Sequence, residues 1–136
     1  MLVYNIHHVA IAVEDLDKAI AGFESRFKVT PISREIVEEQ GVSEAMIAIG
    51  GSYIQLLEPL SPETPVGLFL SRNGEGMHHI AFAVKNIEDA LTHLKNTGAQ
   101  LIDETPRIGG GGNRIAFVHP AELTGTLVEL VEVDHG

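Results

Sequence analysis

The sequence predicts an α+β fold of two tandem modules, each running strand–helix–strand–strand–strand. Three observations carry that expectation. His7-His8-Val9-Ala10-Ile11-Ala12-Val13 returns as His78-His79-Ile80-Ala81-Phe82-Ala83-Val84, displaced by 71 residues from His8 to His79. Leu16, Ala19, Ile20 and Phe23 are echoed at the same displacement by Ile87, Ala90, Leu91 and Leu94. A second phrase closes each half, Ile54-Gln55-Leu56-Leu57-Glu58 in the first and Val128-Glu129-Leu130-Val131-Glu132 in the second. The 136 residues fit one ordinary domain, read as module 1 over about 1–59, a linker over about 60–76 and module 2 over about 77–136. Either half alone, at roughly 65 residues, would be marginal, so a shared core is expected.

Residues 7–13 alternate with β-branched side chains and stop at Glu14-Asp15, which predicts a strand. Its period of two puts His8, Ala10 and Ala12 on one face and Val9, Ile11 and Val13 on the other. The second copy sorts the same way, with His79, Ala81 and Ala83 against Ile80, Phe82 and Val84. The bulky faces suit burial against a helix, and the small residues leave space beside each histidine. Asp15 and Asn86 are good N-caps for two amphipathic helices. The first is patterned on Leu16, Ala19, Ile20, Phe23 and Phe27, the second on Ile87, Ala90, Leu91 and Leu94 with Gly98 as its end. Strands are expected at about 32–38, 44–49 and 53–58, then at about 100–104, 113–118 and 126–132. Pro59, Pro62 and Pro65 mark the joint, with a short helix over Val66–Arg72 ending near Gly74. Gly109-Gly110-Gly111-Gly112 reads as a flexible loop.

Composition narrows the function. A formal net charge of −10 argues against nucleic acid, whose phosphates demand a surplus of Lys and Arg. No apolar run is long enough to span a membrane, and the Met-Leu-Val-Tyr-Asn start does not read as a signal peptide. Cysteine is absent, which excludes disulfides, thiolate nucleophiles and sulfur-ligated metals and fits a cytoplasmic location.

The repeated phrases supply four candidate metal ligands: His8, Gln55, His79 and Glu129. Imidazole nitrogens with amide and carboxylate oxygens suit divalent Co, Mn, Ni, Zn, Fe or Mg. One carboxylate among four ligands leaves the ion with positive charge to polarise a substrate oxygen, and a six-coordinate ion keeps two openings for a bidentate substrate. His7 and His78 fall on the opposite strand faces and read as packing or interface residues. His93 reads as a solvated helix residue, His119 as a turn residue at a strand end, and His135 as part of the tail.

The paired modules, with His-x-Ala near each start and Gln/Glu-Leu near each end, resemble the vicinal oxygen chelate superfamily. Over nearly the whole chain they resemble its methylmalonyl-CoA epimerase family. The narrower likeness rests on Glu39-Gln40-Gly41-Val42-Ser43-Glu44, Gly76-Met77-His78-His79-Ile80-Ala81 and Gly111-Gly112-Asn113-Arg114-Ile115-Ala116-Phe117-Val118-His119-Pro120. The resemblance implies a curved mixed sheet around a metal site, a homodimer, and interconversion of (2R)- and (2S)-methylmalonyl-CoA. It places the metal on His8, Gln55, His79 and Glu129, and the two acid/base carboxylates on Glu44 and Glu129. Inverting a carbon beside a thioester requires a proton to leave one face and return to the other through an enolate that a divalent ion stabilises. Metal coordination lowers the basicity of Glu129, which leaves Glu44 as the dedicated base. For the phosphates of CoA the candidates are Arg107, Arg114 and Lys95, with Gly111, Asn113 and His119 as further substrate contacts. Two rivals share the fold: a glyoxalase I-type lactoylglutathione lyase, and a non-catalytic small-molecule-binding protein that needs no complete ligand set and no free base.

Overall fold

A computed structural model describes residues 1–133, so His135 lies outside the described residues. The chain divides into two compact units, one spanning His8–His78 and the other made of Met1–His7 with His79–Gly136. Each holds a helix and a run of strands in the expected order.

In the first unit β1 (Asn5–Ala12, entering at His8) leads to α1 (Leu16–Phe27), then to β2 (Ser33–Val37), β3 (Val42–Ile49) and β4 (Ser52–Pro59). The strands lie in the order β2-β3-β4-β1, with β1 parallel to β4 and the other pairs antiparallel. Asp15 caps α1 by accepting from the Lys18 N–H, and Glu58 at the end of β4 accepts from the Leu16 N–H at 2.7 Å. Two of the orphan donors at that helix start are thereby satisfied. One sheet face buries Val13, Leu16, Ile20, Ala45, Ile47 and Leu56 together. The opposite face buries Ala10, Ala12, Val42 and Leu57 against Val66 of α2 (Pro65–Asn73). This helix is the one expected at the joint, capped by Thr64 and ended at Gly74 with φ 76°.

The second unit repeats the pattern with β5 (Gly76–Val84, from His79 on), α3 (Ile87–Asn96), β6 (Arg107–Ile108), β7 (Arg114–Val118) and β8 (Val128–Glu132). Its strand order is β5-β8-β7-β6, with β5 parallel to β8. Asn86 caps α3 by accepting from Asp89 N–H, and Glu132 accepts from the Ile87 N–H, repeating the role of Glu58. Val84, Ile87, Ala90, Leu91, Ala116, Val118, Val128 and Leu130 form the core under α3.

One expected strand is displaced. Residues 100–104 form only an isolated bridge, Leu101 to Val118, and the paired edge strand lies at Arg107–Ile108. The Asp103 carboxylate explains the shift: it accepts from the Phe117 N–H at 2.9 Å, the donor that a continuous ladder would have used. The N–H groups of Ile102 and Asp103 both converge on the Phe117 carbonyl. The glycine run is a tight turn in which Gly111 and Gly112 take φ of 76° and 84°, left-handed values that glycine adopts without a steric penalty.

Candidate active site

Among the described residues, the buried charged or titratable side chains are His8, Glu44, His79 and Glu129, each at most 5% exposed. Burying such groups is costly unless partners or an ion compensate them. In both units they sit on the face away from the α1 or α3 core.

In the first unit His8 shares its face with Ala10 and Ala12, and the strand register places Ala10 beside Gln55. Opposite Gln55 on β3 is Met46, and opposite Leu57 is Glu44. Residues directly opposite share a face, so His8, Gln55 and Glu44 line one surface. Gln55 and Glu44 are diagonal neighbours across the β3–β4 pair, within reach for long side chains. The Gln55 Nε2 donates to Glu44 Oε2. On the far side of β3, Glu35 of β2 stands directly opposite Glu44, exposed to solvent.

The second unit carries the equivalent arrangement. His79 shares its face with Ala81 and Ala83, and Ala81 is registered against Glu129. His79 Nε2 lies 3.4 Å from Glu129 Oε1. Phe117, directly opposite Glu129, meets the His79 ring edge-on at 5.4 Å with an interplanar angle of 87°. The Arg107 guanidinium lies 5.4 Å from the centre of the Phe117 ring and its Nε 3.5 Å from Asp103 Oδ2. Phe117 had no assigned role in the sequence reading. Its parity with Ile115 on a strand facing Glu129 was the available signal.

The register also shows where the repeat breaks. Glu44 pairs with Leu57, two residues past Gln55, and Ile115 pairs with Val131, two residues past Glu129. Ile115 therefore stands where the second half would mirror Glu44, and no carboxylate occupies that position.

The remaining candidates sort by face. Arg107 is exposed on the Glu129 face, since it pairs with Ile115. Arg114 points to the α3 face, where its guanidinium holds both oxygens of Glu132 at 3.0 and 2.8 Å and Glu88 at 2.6 Å. The Arg114 bonds and the Ile87 N–H hold the Glu132 carboxyl below its ordinary range, and Glu132 followed by Glu88 raises the guanidinium in turn. Arg114 is thus engaged in locking β8 to the start of α3. Asn113 donates to the Glu132 carbonyl at 2.9 Å, Gly111 is exposed in the glycine turn, and His119 accepts from the Ala121 N–H as a turn cap. His78 packs edge-on against Phe69 of α2, and His93 is exposed.

A family model described as the glyoxalase/bleomycin resistance protein/dioxygenase superfamily matches residues 7–117. The chain is 34% identical over 134 residues to an ethylmalonyl-CoA/methylmalonyl-CoA epimerase of Cereibacter sphaeroides, covering 97% of this chain and 100% of the relative. Among solved structures it resembles a Streptomyces coelicolor methylmalonyl-CoA epimerase variant in complex with 2-nitronate-propionyl-CoA, with TM-score 0.94 and 37% identity over 98% of this chain and 96% of that one. It resembles equally a methylmalonyl-CoA epimerase in complex with methylmalonyl-CoA and NH4+, with TM-score 0.93, 37% identity and the same coverage.

Proposed function

From the premise that the chain belongs to the glyoxalase/bleomycin resistance protein/dioxygenase superfamily, we propose that it is a metal-dependent epimerase interconverting (2R)- and (2S)-methylmalonyl-CoA. One observation carries the reading: among the described residues, the buried titratable side chains are two histidines and two glutamates, the groups that such a reaction requires. The likeness to epimerases at 34–37% identity over nearly the full chain supports the substrate.

The donor set of His8, His79 and Glu129 is compatible with a divalent metal ion, and Gln55 adds an amide oxygen. Two imidazoles, a carboxylate and an amide, with no thiolate, suit Co, Mn, Ni, Zn or Mg. When bound, the ion acts as a Lewis acid for the charge that develops on the thioester oxygen.

The residues handle the protons. Glu44 takes the C2 proton on one face of the substrate, and Glu129 returns one on the other, so that one carboxylate serves each face. Arg107, held against Phe117 and Asp103 yet open to solvent, offers the cation for the phosphates of CoA, with Gly111, Asn113 and His119 as further polar contacts. The protein works as a homodimer in the cytoplasm in this reading. No helix among the described residues is long and apolar enough to cross a membrane.

The test incubates Co²⁺-loaded protein with one epimer of methylmalonyl-CoA in D₂O and follows both inversion and C2 deuterium by NMR. Inversion with deuterium at C2 is expected. Protein that binds the thioester but yields neither would be a binding module, and turnover of a glutathione hemithioacetal instead would assign a lyase.

A further inference from the structure

Gln55 does more than stand among the metal ligands: the geometry points to it as the positioning residue for the base Glu44, an inference that rests on the epimerase reading. The register places the two side chains diagonally across β3 and β4 on one face, and Gln55 Nε2 donates to Glu44 Oε2. A carboxylate only accepts, so the amide nitrogen must be the end turned toward Glu44. That leaves the amide oxygen as the atom of Gln55 able to meet a cation. One planar carboxamide would therefore hold the base through its nitrogen and, through its oxygen, help hold a cation when one is bound.

The choice of amide over acid has a physical reason. A carboxylate at position 55 would ligate a cation at least as well, but it has no proton to donate to Glu44. Two carboxylates in that arrangement offer acceptors and no donor, so they would swing apart and take the base from its place. A hydrogen bond from a neutral donor holds Glu44 without neutralising it. Glu35, directly across β3 from Glu44, is a second carboxylate that cannot supply such a donor when ionised. Leu57, directly opposite Glu44 on β4, has no polar side chain, and the diagonal neighbour Gln55 is the one that donates to the base.

The discriminating variant is Gln55→Glu. It is expected to retain Co²⁺ binding by calorimetry and to keep KM for methylmalonyl-CoA close to wild type, while kcat for inversion falls by about 10²-fold, the scale of an ångström-sized misplacement. A pure ligand role for Gln55 predicts the opposite split, with kcat preserved wherever Co²⁺ is retained, and that result overturns the inference. A metal-free measurement covers the case in which Gln55→Glu loses Co²⁺. The Gln55 side-chain amide protons, assigned by their disappearance from the ¹⁵N spectrum of that variant, should shift and exchange faster in Glu44→Ala. An unchanged Gln55 amide signal also overturns it. Wild-type protein that fails to invert methylmalonyl-CoA defeats the epimerase reading itself and removes the base to be positioned, an outcome visible in the control before any variant is compared.

Discussion

Replacing Glu44 by Gln exchanges one carboxylate oxygen for an NH₂ group and alters little else. The side chain is 5% exposed and hydrogen-bonded to Gln55, and the substituted amide keeps a carbonyl oxygen to accept that bond. The stability change should therefore stay within about 1 kcal/mol, the net worth of one hydrogen bond. Against an ordinary domain stability of roughly 5–15 kcal/mol, more than about 99% of the protein remains folded. The metal donors are untouched, so Co²⁺ titration by calorimetry should match wild type. Inversion is different, because an amide does not take a proton at neutral pH. Loss of a positioned general base costs about 10²–10⁴ in rate, equivalent to roughly 3–5 kcal/mol of barrier. The assay is C2 inversion of each epimer in D₂O at saturating Co²⁺, alongside thermal denaturation of the same preparation. A variant that retains Co²⁺ and its melting temperature but inverts at more than about a tenth of the wild-type rate would refute the role of Glu44 as base.

Three further outcomes follow from other parts of the structure. His79→Ala should weaken Co²⁺ binding by at least about 10²-fold in calorimetry, and unchanged affinity would remove His79 from the ligand set. Glu132→Gln should lower stability in a pH-dependent way. The folded Glu132 carboxyl sits below its ordinary value of 4.5, so its contribution is fully present above that pH and is lost as the pH falls through the folded value. The melting-temperature gap between wild type and variant should be constant above pH 4.5 and close below it, and a gap that widens in acid contradicts the Arg114–Glu132 lock. Gly67→Ala should destabilise by about 1–3 kcal/mol in urea unfolding, since a Cβ there would collide with the Ser61 carbonyl oxygen and lie 2.7 Å from that of Pro62. A neutral result would show that the turn before α2 yields easily.

Much of the site was legible because two periods were. The alternation in 7–13 and 78–84 assigned His8 and His79, and not His7 and His78, to the small-residue faces, and both are buried there. The i, i+3, i+4 spacing with Asp15 and Asn86 placed both helix starts at the observed residues. Edge strand β6 escaped, because a two-residue strand carries no periodic signal and Asp103 displaced the ladder through a side-chain bond. Arg114 looked like an available cation because its partners are remote in sequence: Glu88 and Glu132 lie 26 and 18 residues away.

The sequence by itself determined the duplication, the strand–helix order and the face on which each candidate ligand stands, since these depend on periods of two and 3.6 along a local stretch of chain. Only the tertiary structure decided which side chains pair across strands. Register set Ile115 opposite Val131 as the mirror of Glu44 opposite Leu57, and it put the Gln55 amide against the Glu44 carboxylate. A shift of one residue along a strand would have turned those groups to the other face with the composition unchanged. That is why the inventory of the site was readable from the chain, and the coupling between its members was not.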